Sequence, residues 1–139
     1  MKKNLLLPIL LLVLTFNKAF ALDITTFPKE RIVVNERMLT VYVAKDAKKR
    51  EQGLSNVKLN TLKANGVDGM LFVFEDDGEK LFQAWYMNFD LLLLGLERLA
   101  NNKFKVSERK TLNIGTTVNI KGRYVLELPL TENSLIKGR

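Results

Sequence analysis

Two short runs of this chain are apolar at every position, and they constrain the fold more than any other feature. They are Gly69–Phe74 and Leu91–Leu96, and a polar turn follows within a few residues of each. Runs of this length without alternation are typical of strands that are covered on both faces. We therefore expect two central strands, each buried on both sides.

Further segments predict strands that are more polar or covered on one face only. Leu39, Val41 and Val43 fall on one side of an extended chain, and Pro129 would end the last strand. The segments are Met38–Ala44, a return strand Leu81–Met87, Lys103–Leu112, Thr116–Lys121 and Tyr124–Leu128. About seven short strands with turns between them are typical of a sandwich or a barrel.

Helical signals are few. Asp46 can cap a short helix that runs through Gln52 and stops at Gly53, whereas residues 55–68 indicate an irregular loop. The chain is therefore predicted to be all-β, as a mostly antiparallel β-sandwich or a jelly-roll-like barrel with one or two short helices.

The first 21 residues predict a secretory signal peptide. Lys2 and Lys3 precede an apolar stretch, Leu5–Phe16, and Ala19-Phe20-Ala21 supplies the small-x-small cleavage pattern. A helix over that stretch would span about 18 Å, short of the roughly 30 Å of a bilayer core. We expect residues 22–139 to form one β-sandwich domain in the periplasm or outside the cell, with no stable membrane span after cleavage.

Composition excludes several classes of chemistry. The chain has no His and no Cys, which removes imidazole bases, thiol nucleophiles, disulfides and the usual zinc sites. Loss of the signal removes three Lys and leaves 19 basic against 15 acidic residues, so the formal charge falls from +7 to +4. A charge that small does not indicate nucleic acid as a partner. We expect no nucleic acid, no cofactor and no metal.

Asp90 is the most conspicuous polar residue. It stands between Phe89 and the Leu run that begins at Leu91, where an isolated carboxylate is costly to bury. It must reach solvent, pair with a cation such as Arg50 or Arg123, or line a pocket.

Two other groups have simpler interpretations. Glu75, Asp76, Asp77 and Glu79 surround Gly78, but they lack the ligand spacing of a calcium loop and indicate a solvated turn. Tyr42, Trp85 and Tyr86 could stack on a sugar, although aromatic residues in strands more often belong to the core.

Three segments carry a family resemblance: Arg50-Glu51-Gln52-Gly53-Leu54, Gly69–Phe74, and Tyr124–Pro129. In this order the chain resembles the domain of unknown function 192 family over about residues 38–136. The resemblance implies a compact, mostly antiparallel β-fold and implies no activity. The family's Phe-Trp-Met-Lys-Asn-Thr and Pro-Leu-Asp are compressed here to Trp85–Leu91, in which Asp90 matches the family's Asp, and the usual prolines are absent from residues 111–122.

The leading hypothesis is a non-catalytic module that binds a small molecule or an envelope component. Its site is predicted to combine Arg50, Asn88 and Asp90 with Trp85 as an apolar wall. One alternative is a carboxylate-based hydrolase of envelope sugars that pairs Asp90 with a second acid such as Glu127, which requires two acids about 5 to 10 Å apart in one cleft. The other is a structural or protein-interaction module with an exposed apolar patch and no cleft.

Cleavage after Ala21 is a direct prediction, because Ala19 and Ala21 fit the small-residue pockets of the peptidase. The intact mass of protein from the envelope fraction should correspond to a chain that begins at Leu22. A species in that fraction that begins at Met1 would contradict it.

Overall fold

The computed structural model describes residues 22–131. The predicted signal peptide lies outside these residues. Two α-helices are present, α1 (Ala47–Gln52) and α2 (Leu59–Ala64), with a 3-10 turn at Ile24–Thr26. The strands are β1 (Lys29–Val34), β2 (Arg37–Ala44), β3 (Gly69–Val73), β4 (Glu79–Gln83), β5 (Leu91–Ala100), β6 (Lys103–Leu112), β7 (Thr117–Lys121) and β8 (Tyr124–Pro129).

Six of the strands close into a barrel in the order β1-β2-β3-β8-β5-β6, and β4 pairs with β7 as a separate two-stranded ribbon. Neighbouring strands are antiparallel except for β1 with β6 and β2 with β3. The prediction of an all-β, mostly antiparallel fold with few short helices is confirmed.

Strands β3 and β5 are buried on both faces, as the two apolar runs predict. Leu71 and Leu92 belong to a cluster to which all six barrel strands contribute, and which therefore fills the barrel interior. Met70, Phe72 and Leu93 point the other way, into a second cluster. Since successive side chains alternate across a strand, each strand supplies both clusters.

The second cluster lies between the outer face of the barrel and a layer built from the helices and the ribbon. Leu54 follows α1, Leu62 comes from α2, Phe82 from β4 and Ile120 from β7, and all four are buried in it. The elements outside the barrel are thus held against it mainly by apolar contact.

Helix α1 forms where the sequence predicts it. The Asp46 carboxylate accepts a hydrogen bond from Lys49 N at 2.9 Å, and Gly53 ends the helix with φ +52° and ψ −136°. These are the expected roles of an N-cap acid and of a terminal glycine.

Three local features differ from the sequence pattern. Residues 55–68 are not wholly irregular, since they contain α2, which is too short to show a helical period and buries only Leu62. The return strand starts at Glu79 and ends at Gln83, because residues 84–90 turn away and Tyr86 O accepts from Asn56 N at 2.7 Å. The pattern also does not reveal β1 as a strand of its own, joined to β2 by a turn in which Asn35 and Glu36 have φ of +47° and +69°.

No helix among residues 22–131 combines the length and the apolar character that a membrane crossing needs.

Leu126 tests the interior cluster, because it lies on β8 with no exposed surface. Leu126→Ala should lower the free energy of unfolding by about 2 to 5 kcal/mol, through lost apolar burial and the cavity left behind. The matched control is Leu99→Ala on β5, where the side chain is 59% exposed and the loss should stay under about 1 kcal/mol. Urea denaturation measures both, and equal losses would contradict this description of the interior.

Candidate functional site

A cleft of about 480 Å³ opens between the end of α1, the outer faces of β3 and β8, and β4. Its volume lies in the range of small-molecule sites. Apolar walls and a few charged groups make up the lining, which comprises Arg50, Glu51, Gln52, Gly53, Leu54, Ser55, Phe72, Phe74, Glu79, Lys80, Leu81, Phe82, Gln83, Met87 and Glu127.

Glu127 forms the floor of this cleft. On β8 it alternates with Leu126 and Leu128, which point into the barrel, so its side chain lies on the outer face beneath the helix and ribbon layer. Its cross-strand neighbours are Met70 and Leu93. Glu127 is 4% exposed, and among the described residues its Oε1 has no hydrogen-bond partner.

Burial decides the protonation state of Glu127. Removal from water disfavours the charged carboxylate and raises its pKa to about 8. At neutral pH the group is therefore mostly a neutral acid, which can donate one hydrogen bond and accept others.

Gly53 keeps the floor open. A Cβ at this position would lie 3.1 Å from Phe72 Cζ and 3.8 Å from Glu127 Oε1. The residue also adopts a positive φ of +52°, which L side chains rarely take. The end of α1 thus brings a bare backbone close to the carboxyl.

Three phenylalanine rings form the apolar wall. Phe72 meets Phe82 edge to face at a centroid distance of 5.1 Å, and Phe74 meets Phe82 in the same way at 6.1 Å. Phe72 and Phe74 stack at 6.4 Å. Such mutual contacts fix the rings in place, so the wall is preformed.

Two cations flank this wall near Phe74. The Arg50 guanidinium carbon lies 5.3 Å from the ring centroid and Lys80 Nζ lies 5.0 Å from it. Arg50 also donates to the backbone oxygens of Lys45 and Val73, and it pairs with Glu75 at 3.5 Å. Arg50 thereby ties α1 to the end of β3.

Lys80 is fully engaged by the turn that precedes it. Its Nζ donates to Asp76 Oδ1 at 2.9 Å, to Asp76 O at 3.1 Å and to Gly78 O at 2.6 Å. An ammonium group has three N–H donors, so these bonds use all of them. The Lys80 side chain and the Gly78 N–H, both hydrogen-bonded to Asp76, lower the pKa of Asp76.

Of the four residues predicted to form a site, the structure places Arg50 in the cleft. Among the described residues, Trp85, Asn88 and Asp90 lie outside its lining. Trp85 is 53% exposed in the turn after β4, and Asn88 Nδ2 donates to Val57 O at 3.0 Å. Arg50 and Asp90 are therefore not brought together.

Asp90 has a structural partner of its own. Its Oδ1 accepts from Ile114 N at 2.8 Å, and its backbone oxygen accepts from Leu130 N at 2.8 Å. Within the described part of the chain Asp90 forms no ion pair with Arg50 or Arg123, since Arg123 donates to Glu75 O instead. Asp90 joins the start of β5 to two other segments.

The three aromatic residues considered for sugar stacking do not share a surface. Tyr42 is fully buried in the outer cluster, whereas Trp85 and Tyr86 are exposed. Over residues 22–131 no group of three or more acidic side chains could hold a metal ion.

The sequence suggests Glu127 only as a second acid to pair with Asp90. The available signal was its position in Tyr124–Leu128, where an acid stands among apolar residues on a strand next to the chain's most apolar runs. What could not be read from the sequence is that β3 and β8 are neighbours, which places Glu127 beside the phenylalanines.

Comparison with known proteins identifies a similar fold. The chain is similar to a crystal structure described as a "putative transcription regulator" from Sinorhizobium meliloti 1021, with a TM-score of 0.60 and 21% identity over 79% of this chain and 87% of that chain. No protein-family model and no curated protein matches the chain. At this identity the likeness shows the fold alone.

The raised pKa of Glu127 predicts an unusual pH dependence of stability. An acid whose pKa rises from 4.5 to about 8 on folding stabilises the fold fully below the lower value. That stabilisation is lost between the two values, by an amount on the order of 5 kcal/mol. Glu127→Gln lacks this titration, so the free energy of unfolding of the variant should increase relative to that of the wild type as the pH rises from about 5 to 8.

Urea denaturation of both proteins across this range measures the difference. Glu79→Gln is the matched control, because Glu79 lines the same cleft at an exposed position. A difference between wild type and Glu127→Gln that stays constant with pH would show that Glu127 is ionised in the folded protein.

Proposed function

We propose that this protein is a non-catalytic binding module that holds a small organic molecule in the cleft over Glu127. The observation that carries the proposal is a buried carboxyl at the base of an open, apolar-walled cleft, whose Oε1 has no hydrogen-bond partner among residues 22–131. Buried polar groups are nearly always satisfied, and one that is not is costly to the fold. A bound molecule that supplied the partner would remove that cost.

The family resemblance supports the same site. All five residues of Arg50–Leu54 line the cleft, as do Phe72 and Phe74 from the second segment and Glu127 from the third. The three segments that suggest membership of the domain of unknown function 192 family are far apart in the sequence. That they surround one cleft favours a common role in binding.

Export is part of the proposal. A basic n-region, a short apolar stretch and the Ala19-Phe20-Ala21 pattern favour a signal peptide. The cleft would then meet molecules of the periplasm or of the surroundings of the cell, which include envelope components.

The hydrolase alternative requires Asp90 and a second acid, such as Glu127, in one cleft. Asp90 is instead bound to Ile114 N and lies outside the described lining of the cleft. The alternative of a purely structural module requires that no cleft be present, and a cleft of about 480 Å³ is found. Binding is therefore the function that this geometry favours.

A pair of glycine variants tests the proposal. Gly53→Ala adds a methyl group beside Phe72 and Glu127, whereas Gly66→Ala adds one at another residue of positive φ, +65°, with no atom within 4 Å of the new Cβ. We expect millimolar fragments from a library of neutral, cationic and anionic compounds to shift amide resonances of residues 50–55 and of β8 in the wild type. Gly66→Ala should keep these shifts, and Gly53→Ala should weaken them because its methyl group narrows the floor.

Two-dimensional NMR of labelled protein provides the measurement. The proposal fails if no fragment of any charge class shifts the cleft resonances. It also fails if both glycine variants respond like the wild type.

A further inference from the structure

We propose that the ligand of this cleft is an organic amine, whose charged nitrogen pairs with the carboxyl of Glu127 and whose carbon framework packs against Phe72 and Phe82. The inference rests on the proposed binding function and adds the chemical class of the ligand.

Both cations of the cleft already have partners. Lys80 donates all three of its N–H groups to Asp76 and Gly78. Arg50 donates to the backbone oxygens of Lys45 and Val73 and pairs with Glu75. An anionic ligand would have to displace the hydrogen bonds of Lys80 in order to be bound by that side chain, and at Arg50 it would compete with Glu75.

Among the described residues, the acids that line the cleft are not paired with cations. Within residues 22–131, Glu51 and Glu79 line the cleft without an ion pair, and Glu127 has neither an ion pair nor a partner for Oε1. Since the cations are neutralised by turn residues outside the lining, the free charge that the cleft offers is negative. A cationic ligand is complementary to it.

The aromatic wall also favours a cation. Aromatic faces attract cations, and the side chains of Arg50 and Lys80 already use Phe74 in this way. Phe72 and Phe82 also line the cleft, each with less than a tenth of its surface exposed; they are fixed edge to face at 5.1 Å, and Phe72 lies close to the floor carboxyl. An amine with an attached apolar group would satisfy the carboxyl and the rings together.

Pairing of the amine with Glu127 changes the protonation of the carboxyl. The free carboxyl is mostly protonated at neutral pH, since burial raises its pKa to about 8. An amine of ordinary basicity arrives protonated, so the pair forms when Glu127 gives its proton to the buffer. Binding at about pH 7 should then release close to one proton, and affinity should rise about tenfold per pH unit up to about pH 8.

The other charged groups that line the cleft are Arg50 and Glu51 from the end of α1 and Glu79 and Lys80 from β4, and Glu75 and Asp76 pair with the two cations. All of these groups are present both in the wild type and in Glu127→Gln. The difference between these two proteins therefore isolates Glu127.

Isothermal titration calorimetry with isosteric probes tests the inference. The probes are benzylamine and phenethylamine, the corresponding alcohols, and benzoate and phenylacetate, each titrated between about pH 6 and 8 in two buffers of different ionisation enthalpy. We expect the amines to bind the wild type most tightly, with proton release and the stated rise of affinity with pH. Glu127→Gln should lose at least about tenfold in amine affinity and all proton release, whereas Glu79→Gln should retain the release.

The outcomes separate the two proposals. If alcohols or carboxylates bind more tightly than amines, or if amine affinity does not change with pH, the amine inference is overturned while the binding function stands. If no probe binds and the fragment library shifts no cleft resonance, both are overturned. The proton release of the wild type is informative even if the Gln variant does not fold.

Discussion

Burial of β3, β5 and β8 on both faces is the constraint on which the site depends. One face of each strand closes the barrel interior, and the other lies under the helices and the β4–β7 ribbon. At a buried position of such a strand, a polar side chain is largely withdrawn from bulk water on either face. Among the charged residue types in the described part of the chain, Glu127 is the buried one, and its neutral state follows from this layered arrangement rather than from a charged neighbour.

The cleft exists because the outer layer does not fully cover β8. Asp46 caps α1, and Arg50 attaches the helix to Val73 O at the end of β3. Gly53 then turns the chain away without a side chain that would cover the carboxyl. Because the same few contacts fix the helix and leave the gap above Glu127, the opening is a built-in property of the fold.

The sequence predicts the layers better than it predicts the site. Uninterrupted apolar runs predict β3 and β5, and Asp46 with Gly53 predicts α1, because each signal is local. The candidate residues Trp85, Asn88 and Asp90 come from one short segment of the chain, whereas the cleft joins α1, β3, β4 and β8, which are distant in sequence. The pairing of β3 with β8 depends on tertiary packing, for which a single sequence carries no local signal.

Asp90 and Glu127 show why position within a strand matters more than composition. Both acids adjoin leucines, but Asp90 precedes its strand, where Ile114 N is free to donate to it. Glu127 lies mid-strand between β3 and β5, where the neighbouring backbone N–H groups belong to the sheet ladders. A purely structural side chain at this place would be better apolar, since replacing a buried charge-bearing group by a packed hydrophobic residue is often neutral or stabilising. An acid kept there at a cost to stability, with an open cleft above it, is better explained by binding than by folding.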